Sequence, residues 1–118
     1  MTLNSVTISG RVVNDIQLNR TNKKGISVVN FRLMHNDRKL KHPVYIDVEV
    51  WGKEAENLAE KAVRGSYVVV HAQLRRDVWE TEEGDPRSKL KLTANKVMVD
   101  DSIKPEMGVT APQANEQF

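Results

Sequence analysis

The segment from Val44 to Trp51 alternates between apolar residues and a second row that begins and ends in an aromatic side chain. A period of two predicts a β-strand that is buried on one face. The expected inward residues are Val44, Ile46, Val48 and Val50, and the expected outward residues are Tyr45, Asp47, Glu49 and Trp51. Two large rings on a polar face have no obvious packing role, so this face is a candidate functional surface.

Four other segments alternate in the same way and are predicted to be strands, at residues 6–12, 29–35, 68–79 and 89–99. Between the third and fourth of the five strands the period changes, and residues 53–64 carry the apolar stripe of an amphipathic helix. Gly65 is expected to end this helix. Turns are predicted at residues 19–25 and 82–86. Five strands with one helix in this place predict an all-β protein with the OB-fold, a five-stranded Greek-key barrel.

Length and composition indicate one domain. With 118 residues, 39% of them hydrophobic, the chain has room for one modest core. Residues 1–100 are expected to form this OB-fold domain, and residues 101–118 to form a flexible C-terminal tail. No apolar run approaches the roughly 20 residues of a membrane helix, no secretory signal precedes the first strand, and there is no cysteine. A cytoplasmic protein without a membrane partner is therefore expected.

The charge is distributed unevenly. Residues 1–41 carry eight Lys or Arg against two Asp, a balance of +6, and residues 42–118 carry ten against fourteen acids, a balance of −4. Such an asymmetry is typical of a surface that binds a polyanion, but a basic face that only interacts with solvent gives the same pattern.

Catalysis has little support in the sequence. Asp47 and Glu49 lie about 6 to 7 Å apart along one strand face, a separation that suits a shared cation or an acid and base pair. The three histidines are isolated from each other, and no phosphate-binding glycine motif or nucleophile elbow is present. The pair is better explained as a solvated strand face, so no enzyme, metal or cofactor is expected.

Binding has more support. Tyr45, Trp51 and Trp79 are three of six aromatic residues, and all three fall on the polar faces of their strands, whereas Phe31 shares the inward face. Exposed rings can stack on bases, and nearby cations can follow phosphates. The outward cations are Arg11, Arg32, Arg75 and Lys91. Rings and arginines of this kind are also enriched in subunit interfaces, which is the alternative explanation.

The acids on the same face oppose a simple polyanion site. Asp47 and Glu49 repel phosphate unless a cation such as Arg11, Arg32 or Arg75 pairs with them. The sequence leaves open whether these pairs form.

Five segments, in order and spacing, resemble the single-stranded DNA-binding proteins of bacteria, their phages, plasmids and organelles. The resemblance covers about residues 3–99. Its segments are Asn4 to Gly10, Val29 to Leu33, Val50 to Glu56, Arg64 to Val68, and Gln73 to Arg75 with Trp79 following.

The resemblance implies an OB-fold that binds single-stranded DNA without sequence preference during replication, recombination and repair, in the cytoplasm with the nucleoid. It also implies a homo-oligomer, a tetramer or a dimer. By the same resemblance, the stacking positions match Tyr45, Trp51 and Trp79, in agreement with the face argument.

Three departures from the family pattern stand out. His71 and Ala72 replace an acidic residue and a glycine, so strand curvature or the subunit contact is expected to differ. The loop from Asn36 to His42 lacks an aromatic residue, and phosphate contacts are expected instead from Arg38, Lys39 and Lys41. The chain ends in Phe118, which keeps open a partner role for replication or repair proteins, but the acidic tip that most bacterial members carry is lacking.

Two rival hypotheses are left. One is a primosome-type OB-fold protein, a dimeric relative that bridges DNA and helicase-loading proteins. The other is a structural oligomerisation module whose aromatic side chains lie in an interface.

Overall fold

The computed structural model describes residues 1–106 and residue 108. Its elements in chain order are β1 (Val6–Val12), β2 (Asn19–Arg20), β3 (Ser27–His35), β4 (Val44–Trp51), α1 (Gly52–Lys61), β5 (Tyr67–Glu80) and β6 (Pro86–Val99). The five predicted strands and the helix are therefore present. The segment 19–25, predicted to be a turn, also contains the two-residue strand β2, which pairs with β3.

The strands close into a ring. β1 pairs with β5, β5 with β6, β6 with β4 and β4 with β3, and β3 pairs with β1 again. All of these pairings are antiparallel except that of β4 with β6, which is parallel over Val48–Val50. The closing contact is short, because only Arg11 and Val12 of β1 pair with β3. This ring of five strands confirms the predicted OB-fold class.

The core fills the inside of the ring. Five inward residues of β3 and β4 are at most 2% exposed, namely Val29, Phe31, Leu33, Val48 and Val50. Helix α1 packs against β3, β4 and β6 and buries Ala55 and Leu58. The alternation therefore predicted the inward face correctly where the strands belong to the ring.

The prediction was wrong at three residues, which lie beyond the ring. Val44 is 42% exposed, Leu74 is 38% exposed and Leu90 is 56% exposed, although their alternation placed them inward. β1 pairs with β5 only as far as Ala72, and the parallel pairing with β6 begins only at Val48 of β4. Past these points no further layer of the described residues covers the inner side, so the β5–β6 hairpin extends outward as an arm.

The helix ends earlier than predicted. It stops at Lys61 rather than at Arg64, because Ala62 takes an extended conformation and is buried. Gly65 is not its cap. With φ +93°, Gly65 forms the turn that leads into β5.

The pairing of β5 with β6 shifts register between His71 and Ala72. His71 pairs with Lys96 and Ala72 with Ala94, which leaves Asn95 as the extra residue of a bulge. Bulges increase local bending and twist. The consecutive residues His71 and Ala72, which depart from the family pattern, therefore lie where strand curvature changes.

The segment that follows β6 folds back on the ring. Asp100 donates its backbone N–H to the Tyr67 carbonyl at 2.9 Å, and Glu106 donates to the Gly65 carbonyl at 3.1 Å. The predicted flexible tail, residues 101–118, falls mostly on residues 107 and 109–118, which lie outside the described residues. Within the described chain, no helix has the length and apolar character needed to cross a membrane.

Candidate nucleic-acid interface

The polar sides of four neighbouring strands form one continuous surface. Paired residues of adjacent strands lie on the same face of a sheet. Arg32 pairs with Asp47, Glu49 with Thr93, and Arg75 with Lys91. The outward residues of β3, β4, β6 and β5 therefore share this surface, which we call the outer face.

Asp47 is neutralised by two cations on this face. The Arg32 Nε donates to its Oδ1 at 2.7 Å, and the Lys89 ammonium contacts its Oδ2. The Arg32 side chain is 14% exposed and that of Asp47 is 28% exposed. A half-buried carboxylate with two cationic partners attracts no further cation and repels phosphate less than a free carboxylate does.

Glu49 connects a cation to an aromatic ring. Its Oε2 lies 3.1 Å from the Lys91 ammonium, and its Oε1 accepts a hydrogen bond of 2.7 Å from the indole Nε1 of Trp51. Lys91 also lies 3.0 Å from the Asp77 Oδ1. Glu49 thus fixes the edge of the Trp51 ring, and the ring remains 41% exposed.

The three ion-paired cations of the outer face lie close together, and their environment shifts the pKa of each. Burial, followed by the positive charges of Arg32 and Lys91, lowers the pKa of Lys89. Burial also lowers the pKa of Arg32. Burial alone would lower the pKa of Lys91 as well, but hydrogen bonds to Asp77 and Glu49 raise it overall. The carboxylates therefore hold together cations that repel one another.

An open groove of about 410 Å³ runs through this network. Its walls are the ion-paired side chains together with Asn14, Asn30 and Phe31. The Asn14 Oδ1 accepts a hydrogen bond of 2.7 Å from the backbone N–H of Arg32, which fixes the loop after β1 against β3. A groove of this size has room for a flat, polar ligand group.

The three predicted stacking rings all lie on the outer face and are exposed. Tyr45 is 37% exposed and Trp79 is 47% exposed, close to the value for Trp51. Tyr45 borders a second cavity of about 390 Å³ together with Ile46 and Leu90. The structure therefore places aromatic surface on β4 and on the β5–β6 arm, within one face.

Four of the predicted cations lie at the surface away from the groove walls. Arg75 is exposed on the outer face, where it donates a hydrogen bond of 2.6 Å to the Gln73 Oε1. Arg38, Lys39 and Lys41 are exposed in the loop between β3 and β4. A turn closed by Leu40 N–H and the Asp37 carbonyl at 2.8 Å shapes this loop.

Arg11 does not line the groove. Its Nη1 donates to the carbonyls of Gly65 at 3.0 Å and Lys104 at 2.9 Å, and its Nη2 lies 3.5 Å from Glu106. Its guanidinium also lies over the Tyr67 ring, 5.5 Å from the centroid. These contacts place Arg11 at the segment that follows β6.

Sequence reasoning missed Lys89 and Asp77 as members of the network. Lys89 has the same alternation signal as Lys91, two residues further on, and Asp77 alternates with Arg75 and Trp79. The sequence does not show that β6 lies between β4 and β5, and only this order lets both lysines reach acids of neighbouring strands.

A closed five-stranded ring with aromatic and cationic side chains on one strand face defines the OB-fold class of oligonucleotide-binding domains. The family model described as "Single-strand binding protein family" matches residues 3–100. The chain therefore belongs to the single-strand binding protein family.

Individual relatives support the same family assignment. A "Single-stranded DNA-binding protein" of Borreliella burgdorferi is 33% identical over 97 residues, which cover 76% of this chain and 64% of that protein. One of Corynebacterium glutamicum is 31% identical over 102 residues, 79% of this chain and 45% of that protein. "Single-stranded DNA-binding protein 1" of Synechocystis sp. is 31% identical over 122 residues, and the match covers 100% of this chain and 100% of that protein. The chain thus spans about half to two thirds of the first two relatives.

Proposed function

We propose that this protein binds single-stranded DNA without sequence preference and protects it during replication, recombination and repair. The single observation that carries the proposal is the outer face, where Tyr45, Trp51 and Trp79 are exposed beside cations in a chain of the single-strand binding protein family. The role is binding rather than catalysis. We also propose that the protein works in the cytoplasm, where the replicating DNA lies.

The physical basis is stacking combined with charge. A base stacked on an exposed ring contributes roughly 1 to 3 kcal/mol and tolerates any base, because every base has a π-face. Arg75 and the basic loop with Arg38, Lys39 and Lys41 are free to follow the phosphates. Arg32 and Lys91 lie on the same face, where each is paired with a carboxylate. Because these backbone contacts release counterions, the affinity is expected to fall as salt rises.

The two tryptophans allow a direct test, since Trp51 and Trp79 are the only ones in the chain. Adding oligothymidine at low salt should quench their fluorescence as bases stack on them. Trp79→Ala should weaken binding by about 5- to 150-fold, which corresponds to the loss of one stacked base. Trp79→Phe is the matched control, and it should retain most of the affinity because it keeps an aromatic ring.

Two results would contradict the proposal. Unchanged fluorescence on addition of oligothymidine would remove both rings from the site. Full affinity in Trp79→Ala would remove that residue alone.

We further propose a homo-oligomer, a dimer or a tetramer. The support is the edge of β1: in the part of the chain that the structure describes, β1 pairs with β3 only at Arg11 and Val12, so residues 6–10 have an edge without a strand partner. One acceptor on this edge is used, because the Ser9 carbonyl lies 2.7 Å from the His35 Nδ1. A free strand edge can pair with a second chain.

A further inference from the structure

The groove cations are all paired with carboxylates of the same surface. Each acid on the groove wall has at least one cationic partner, and each cation has at least one acidic partner. The acids are Asp47, Glu49 and Asp77, and the cations are Arg32, Lys89 and Lys91. Three negative and three positive charges make the groove neutral overall, although it lies on a face proposed to bind a polyanion.

These pairs use the same atoms that a phosphate would use. The Arg32 Nε and the Lys89 ammonium both point at Asp47, and the Lys91 ammonium points at two carboxylates at 3.0 and 3.1 Å. A phosphate entering the groove therefore competes with these carboxylates for the same cations. The exchange replaces one charge-assisted contact by another and gains little net energy.

We propose that Asp47, Glu49 and Asp77 are specificity-determining residues, which act as internal counter-anions and make the groove discriminate against polyanions that offer only charge. A duplex or a polysulfate competes with the carboxylates for these cations and has no exposed bases to stack on the rings. A single strand is held mainly by stacking on Trp51 and Trp79, so its binding depends less on contacts with these cations. The inference rests on the proposed binding of single-stranded DNA and assigns its selectivity to these three acids.

Asp47→Asn tests the inference, because it removes one charge and keeps the shape of the side chain. Affinities are measured at one low salt concentration for heparin, for a DNA duplex and for oligothymidine of the same length. We expect the variant to bind heparin and the duplex about three- to tenfold more tightly, and oligothymidine more tightly by a smaller factor. Glu60→Gln is the matched control, since it makes the same charge change at an exposed position of α1 and should shift each affinity less than twofold.

A double-mutant cycle with Lys89→Gln isolates the mechanism. In the wild-type background this change should weaken heparin binding less than twofold, because Lys89 is paired with Asp47. In the Asp47→Asn background the same change should weaken heparin binding several-fold, because Lys89 is then free to contact the polyanion.

The outcomes separate the inference from the proposed function. Failure of the wild-type protein to bind oligothymidine would overturn the proposed function. Wild-type binding of oligothymidine, with no rise in heparin and duplex affinity in Asp47→Asn or with an equal rise for all three ligands, would overturn the inference alone. Circular dichroism verifies folding, and if Asp47→Asn does not fold, Asp77→Asn makes the same test at a more exposed acid, which contacts Lys91.

Discussion

Gly10 lies at the closest approach of two strands. A Cβ built on it would lie 2.2 Å from the Met34 carbonyl oxygen and 2.9 Å from the Met34 carbonyl carbon. Backbone atoms cannot rotate away as a side chain can, so any side chain here must push β1 and β3 apart at the contact that closes the ring. A glycine is needed at this position so that the ring can close, and not because the backbone turns there.

Gly10→Ala is expected to destabilise the protein by about 1 to 3 kcal/mol or more, because it overpacks this contact. Urea unfolding followed by circular dichroism measures the change. Gly108→Ala is the control, since none of the described residues lies within 4 Å of its added Cβ, and it should change stability by less than about 0.5 kcal/mol. Equal stability of Gly10→Ala and the wild type would show that the ring does not close as described.

The protonation of Lys91 makes the stability of the folded protein depend on pH. Its folded-state pKa is raised above 10.5, because hydrogen bonds to Asp77 and Glu49 outweigh its burial. A raised pKa means that its contribution to stability is fully present below 10.5 and is lost as pH rises through the folded-state value. The stability difference between the wild type and Lys91→Met should therefore be constant from pH 7 to about 9.5 and then shift in favour of the variant at more alkaline pH. Urea unfolding across this range measures it, and a flat difference up to the most alkaline pH would contradict the assignment.

At the scale of elements, the segment of residues 100–106, which we call the strap, is held against the ring by contacts with Arg11 and Gly65. Arg11 donates to the Lys104 carbonyl and lies near Glu106, and a Cβ on Gly65 would lie 2.3 Å from the Glu106 carbonyl oxygen. The sequence placed Arg11 on a polar strand face and so among the candidate DNA contacts. The structure gives its guanidinium four partners, of which Lys104 and Glu106 belong to this strap, and its use by DNA stays a prediction.

Arg11→Met is expected to loosen the strap and to leave oligothymidine affinity within about twofold, because the cations of the outer face are unchanged. Hydrogen exchange at the Asp100 and Glu106 amides should become faster, since both donate to backbone carbonyls next to this site. Arg75→Met is the counterpart, and it should lower the affinity without changing exchange at these amides. A large loss of affinity in Arg11→Met would instead place this cation in the DNA path.

The two long strands show how far an element can be predicted from its own residues. Alternation predicted β5 and β6 and correctly placed Val68, Val70 and Leu92 in the core. Alternation could not show that the β5–β6 hairpin extends beyond the ring, so it also placed Leu74 and Leu90 in the core. Periodicity reports which side of a strand a residue is on, but burial depends on what covers that side.

At the scale of the whole molecule, the edge of β1 opposite β5 leads to a prediction about assembly, because residues 6–10 have no strand partner there among the described residues. Light scattering over a range of concentrations should give a mass of two or four chains without DNA, because an unpaired strand edge and an aromatic, charged surface favour association. The same measurement with oligothymidine distinguishes a DNA-binding oligomer from a purely structural module, since only the former takes up DNA mass. A constant mass of one chain at all concentrations would contradict the proposed homo-oligomer.

The sequence by itself determined the five long strands, the helix between the third and fourth of them, the buried face of each strand where it belongs to the ring, and the outward position of Tyr45, Trp51 and Trp79. These features follow from local periodicity, which depends only on neighbouring residues. Only the tertiary structure decided that β6 lies between β4 and β5, so that Lys89 and Lys91 neutralise Asp47 and Glu49, and that Arg11 belongs to the strap. The reason is that an ion pair between strands depends on strand order and register, and the ring sets both through contacts between residues far apart in the chain.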